Sequence, residues 1–93
     1  MSYVATGMIG PGQSEYLDVQ LEGGRTYMVN VIPSVSSVDF DLHIYDQNAN
    51  LVTWDESLAA DAHGTVTPII TGPFRIVVNS AAGFSAYRVE VVG

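Results

Sequence analysis

Side chains able to act as catalytic bases are scarce in this sequence of 93 residues: His43 and His63 are its two histidines, and cysteine is absent. Nucleophilic catalysis needs a nucleophile, a base and an orienting group within hydrogen-bond reach. Neither histidine lies in a recognisable motif, and Ser57 and Ser80 lack the G-x-S-x-G surround of a nucleophile elbow. Ten acids are present, and Asp39, Asp41, Asp46 and Asp55 could in principle supply a pair of glycosidase type. Such a pair works across a cleft with its carboxyl groups about 5 to 9 Å apart, and a chain this short offers little cleft. These residues point away from an enzyme.

Hard cations suit the acids better, because calcium takes oxygen ligands. Asp39 and Asp41 project from one face of a single extended segment, about 7 Å apart. Two ligands do not make a site, and the loop acids Asp55, Glu56 or Asp61 would have to converge on them. No cofactor is therefore expected, and calcium at Asp39 and Asp41 is the one metal candidate. His43 and Tyr45 share that face, which makes Asp39, Asp41, His43 and Tyr45 the candidate ligand-binding set. Flat amphipathic rings stack on sugars or peptides, a role open to Tyr16, Tyr45 and Trp54 wherever they are exposed. For Trp54 burial as core filler is the favoured expectation over that role, and Tyr27, Phe40, Phe74 and Tyr87 are assigned to the core.

The elements that must position these groups read as strands. Glycine and proline punctuate the chain at short intervals, and the segments between them alternate apolar and polar residues with period two. Residues 3–9 form a weak first strand, and residues 14–21 (SEYLDVQL) a clear second one with Leu17, Val19 and Leu21 on one face. Across Glu22, Gly23, Gly24 and Arg25 the chain continues into 26–32 (TYMVNVI), which predicts a hairpin. Residues 39–46 (DFDLHIYD) alternate most strictly: Phe40, Leu42 and Ile44 face inward, and turn residues 46–50 end the strand. A return strand starts at Leu51, residues 55–63 read as a loop with room for one helical turn, and strands follow over 65–70, 74–79 and 85–92. About eight short strands at this spacing predict an all-β, antiparallel, eight-stranded β-sandwich, jelly-roll-like, as one domain over residues 1–93.

Charge narrows the partners. Three arginines, no lysine and ten acids give a net charge of -7, and charged residues make up 14% of the chain. Nucleic acid, which demands neutralisation of phosphates, is excluded as an expected partner. No apolar run approaches the roughly 18 residues of a spanning helix, so membrane insertion is not expected. No positively charged region opens the chain, and no export signal is visible in it.

Four pieces of this pattern occur in an order that resembles a known family: DVQLEGGRTYMVNV over 18–31, D-x-D-L-x-x-Y-D over 39–46, T-G-x-aromatic-x-I-x-V over 71–78, and Tyr87 followed by alternating Val89 and Val91. Together they resemble the bacterial and archaeal pre-peptidase C-terminal domain, a small β-sandwich found beside secreted proteases and similar in fold to the collagen-binding modules of clostridial collagenases. The resemblance implies a non-catalytic accessory module, extracellular or at the cell surface, that recognises a protein or polysaccharide surface. The acidic linker that supplies calcium ligands in the collagen-binding relatives has no counterpart before Ser14.

A second reading comes from where charge is missing. Sheet edges are usually protected by charged side chains, above all lysine. Residues 1–14 carry none. Tyr3, Val4, Ala5, Met8 and Ile9 thus mark a segment able to pair with a neighbouring copy, and the alternative function is a self-assembling structural subunit, an oligomer or filament.

Overall fold

The computed structural model describes Ser2–Gly93. Its strands are β1 (Ser2–Ile9), β2 (Ser14–Leu21), β3 (Tyr27–Pro33), β4 (Asp39–Tyr45), β5 (Leu51–Asp55), β6 (Ala62–Val66), β7 (Gly72–Ala82) and β8 (Ser85–Val92). They form two four-stranded sheets of order β1-β8-β3-β6 and β2-β7-β4-β5, and every pairing is antiparallel. Only β4 and β5 are both consecutive and paired; every other connection crosses from one sheet to the other. That is the strand order of a jelly roll, two interlocked Greek keys, and the expected antiparallel sandwich is the fold of this chain.

The alternating pattern explains why the sheets face one another. Val19 and Leu21, then Tyr27, Val29 and Val31, then Phe40, Leu42 and Ile44 are all buried, as are Ile76, Val78, Val89 and Val91. Burying each of these large apolar side chains contributes roughly 1.5 to 3 kcal/mol. The intervening residues of β4, Asp39, Asp41, His43 and Tyr45, are half-buried on the opposite side.

Three sequence expectations are corrected. β2 and β3 do not form a hairpin: β2 pairs with β7, and β3 with β6 and β8. Their connection is held by the β6–β7 loop instead, with the Gly24 N–H donating to the Pro68 carbonyl at 2.7 Å and the Gly23 N–H to Thr71 Oγ1 at 2.9 Å. The sixth strand lies earlier than residues 65–70, because Ala62 is fully buried whereas Ile69 is 96% exposed. Residues 58–61 make bends and no helical turn; the Asp55 carboxylate closes this loop by accepting the N–H groups of Ser57 and His63, each at 2.9 Å.

Candidate functional site

Directly opposed residues of antiparallel strands point to the same face, so strand register states which side chains the β2-β7-β4-β5 sheet presents outward. Tyr16 opposes Val77, Val77 opposes His43, and His43 opposes Trp54. One row thus crosses all four strands, with an aromatic ring at each edge, about 14 Å apart at three interstrand spacings. Tyr16 is 63% exposed and Trp54 57%. The expected burial of Trp54 is therefore overturned: pairing with His43 commits it to the outer face, while Thr53 takes the inward position and donates its hydroxyl to the Thr65 carbonyl at 2.8 Å.

The adjacent row is Asp18, Arg75 and Tyr45. Arg75 grips both oxygens of Asp18, at 2.9 and 3.0 Å, and its guanidinium lies 4.0 Å over the Tyr16 ring. The hydrogen bond from Arg75 holds the Asp18 carboxyl below its ordinary range, and planar Arg geometry suits both the carboxylate fork and the ring face. Tyr45, Arg75 and Asp18 line a shallow cavity of about 550 Å³ that continues to Asp46 and Gln47. The turn beside it is closed by Asp46, which accepts the N–H groups of Asn48 and Asn50, both at 2.9 Å.

On the other flank Asp41 opposes Asn79, and His43 Nε2 lies 3.0 Å from Glu56 Oε2. Asp39 and Asp41 each hold one carboxylate oxygen out of solvent without a protein hydrogen-bond partner. Desolvation, and next the charge of Asp39, raise the Asp41 pKa; the Asn79 side chain pulls the other way. No group of three or more His, Cys, Asp or Glu converges in a metal-binding arrangement among the described residues, so Asp39 and Asp41 supply two of the six to eight oxygens that calcium takes.

The electrostatics predict an effect of pH. Because the folded pKa of Asp41 lies above its ordinary value of 3.8, the protonated form favours folding. That contribution is complete below the unfolded pKa and disappears as pH rises through the folded one. Asp41→Asn is therefore expected to stabilise the protein at neutral pH by roughly 0.5 to 1 kcal/mol, the scale of partly solvated charges, and the gain should vanish below about pH 4. Asp55, whose pKa is lowered by the Ser57 and His63 amides, has the opposite sign and loses its contribution in acid. Urea titrations of both proteins at several pH values measure the difference; a pH-independent gain would contradict the electrostatic origin.

Among the sequence candidates, Asp39, Asp41, His43 and Tyr45 share this face. Glu56, a loop acid considered as a calcium ligand, meets His43 instead; Arg75 and Val77 are not among the sequence candidates, although the alternation of residues 74–79 signals that they face away from the core. Tyr3, Val4, Ala5, Met8 and Ile9 lie elsewhere, on β1 at the edge of the other sheet. Val4 and Met8 are 64% and 58% exposed, Ile9 is buried, and the Tyr3 hydroxyl donates to the Gln20 carbonyl at 3.0 Å. No protein-family model matches the chain, and no curated protein matches it.

Proposed function

We propose that this protein is a non-catalytic binding module, resembling the pre-peptidase C-terminal domain and acting outside the cell or at its surface, that recognises a polysaccharide or protein surface through the outer face of the β2-β7-β4-β5 sheet. The observation that carries the reading is the row of Tyr16, Val77, His43 and Trp54, with exposed rings at both ends. Flat amphipathic rings stack on the C–H face of a sugar or on a peptide chain, and the carboxyl, carboxamide and imidazole of Asp41, Asn79 and His43 can hydrogen-bond the hydroxyl or amide groups of such a ligand. Neighbouring Arg75 is already held by Asp18 and braces Tyr16, so the ring is pre-oriented, which lowers the entropic cost of binding. The hydrogen bonds of His43 and His63 go to Glu56, Asn30 and Asp61, contacts that suit histidines held in place on the surface.

Trp54 is the single tryptophan, so its emission reports directly from this face. Retention on insoluble polysaccharides and on fibrillar collagen, with and without millimolar calcium, should be accompanied by a shift of Trp54 emission with soluble fragments of the retained material. Trp54→Ala is expected to weaken retention about tenfold, equivalent to about 1.4 kcal/mol, without loss of fold. Retention unchanged by that substitution, or no retention and no emission change across the panel, would count against the proposal.

A further inference from the structure

Four strands form the edges of the two sheets: β1 and β6 in one, β2 and β5 in the other. An edge strand presents unpaired N–H and C=O groups, and natural sheets shield them with short strands, charge or proline. β5 and β6 have five residues each; β5 ends at Asp55, and the exposed His63 of β6 bonds to Asp61. β2 has eight residues but carries Glu15 and Asp18. β1 also has eight, SYVATGMI, with neither charge nor proline. It pairs with β8 from Ser2 to Ile9 without a shift of register, so its outer edge is regular along its whole length. Of the four edge strands β1 and β6 carry no acid, and β1 is the longer of the two, so in a chain of net charge -7 it is the longest edge along which two copies meet without setting acid against acid.

We infer that β1 is a homodimerisation site, on which a second copy of this chain pairs its own β1 antiparallel about a two-fold axis and joins two four-stranded sheets into one of eight. Such self-pairing is isologous and closes on itself. Opposed residues share a face, so even positions must meet even and odd meet odd. Ser2, Val4, Thr6 and Met8 are the exposed set. The register centred on Thr6 sets Val4 against Met8 of the second copy, twice, and leaves Thr6 facing itself. On the inward side it matches Ala5 with Gly7, the smallest residues of the strand. The acids of neighbouring β2 are folded back on their own protomer: Asp18 is gripped by Arg75, and Glu15 accepts the Tyr87 hydroxyl at 2.6 Å.

The absence of native cysteine makes a single introduced thiol a clean probe. Across an antiparallel pair the Cα atoms lie about 4.5 to 5.5 Å apart, inside the range a disulfide spans. Under mild oxidation Thr6→Cys should give a covalent dimer in high yield, whereas Thr65→Cys, also exposed but on β6, should remain single. Sedimentation of the unmodified protein should show a discrete dimer. Thr6→Glu should weaken that dimer at least tenfold with an unchanged melting temperature of the protomer, because the carboxylate faces Arg88 within the protomer and its own copy across the axis. A monomer at millimolar concentration, a dimer indifferent to Thr6→Glu, equal cross-linking at both cysteine positions, or open-ended polymers would each overturn the inference.

Discussion

Phe40→Ala is expected to destabilise the fold by roughly 3 to 5 kcal/mol, the range for deleting a buried phenylalanine. The residue is completely buried at the start of β4. Its ring meets Tyr87 edge-on, with centroids 5.9 Å apart and planes at 73°, the arrangement in which the positive edge of one ring meets the negative face of the other. β4 and β8 belong to different sheets, so this contact joins the two layers. It also reaches a third strand, because the Tyr87 hydroxyl donates to Glu15 on β2, and burial together with that hydrogen bond raises the Tyr87 pKa far above its ordinary value. Removing Phe40 leaves a cavity beside a tyrosine whose position depends on it. Since small domains are stable by about 5 to 15 kcal/mol, much of the total would be lost, with the melting temperature falling by roughly 15 to 25 °C. Urea denaturation measures this, with Leu58→Ala in the β5–β6 loop, where the side chain is exposed, expected to change stability by less than about 0.5 kcal/mol. A loss below about 1 kcal/mol at Phe40 would contradict face-to-face packing of the sheets through this pair.

The same residues show how much of the fold is legible in the sequence. Phe40, Leu42 and Ile44 alternate with polar neighbours, and alternation is a local property, so the faces of β2, β3, β4 and β8 can be read directly. Strand pairing is not local. The Glu22–Gly23–Gly24–Arg25 connection has the residues of a hairpin turn, yet its amides are satisfied by Pro68 and Thr71 from the β6–β7 loop, a contact no short window contains. The Ile69–Ile70 pair is apolar enough to read as strand but sits in that loop, exposed, after a proline that lacks an N–H for a ladder. The candidate site divides in the same way. Asp39, Asp41, His43 and Tyr45 share a face by parity alone, whereas Tyr16, Arg75 and Trp54 join them only because β2, β7 and β5 flank β4 in space. For Trp54 the sequence favours burial over stacking because a large aromatic residue is ordinarily core, and only its pairing with His43 on an edge strand turns it outward.

Gly83→Ala is expected to cost roughly 2 to 4 kcal/mol, the sum of a left-handed backbone penalty and overpacking of a filled position. Gly83 joins β7 to β8 with φ of +84°, a conformation in which a Cβ crowds the backbone. The space is also occupied: an added Cβ would lie 2.7 Å from Val38 Cγ1 and 3.2 Å from the Ser37 carbonyl oxygen. Gly24 separates the two effects, because its φ is +81° but nothing lies within 4 Å of the position a Cβ would take; Gly24→Ala should therefore cost only about 1 to 2 kcal/mol. Gly83→Asn, which tolerates the left-handed backbone but keeps the Cβ, should recover part of the loss and no more. The consequence reaches the candidate site. Val38 is buried and precedes Asp39, and Asp39 opposes Ala82 beside the altered glycine. Displacing Val38 moves the start of β4, and with it the Asp39 and Asp41 carboxylates. Gly83→Ala should thus reduce ligand retention by the outer face as well as stability, while Gly24→Ala lowers stability alone. Denaturation curves and retention assays on the two variants measure both effects; equal stability losses would show that Val38 gives way freely and that only the backbone conformation demands glycine there.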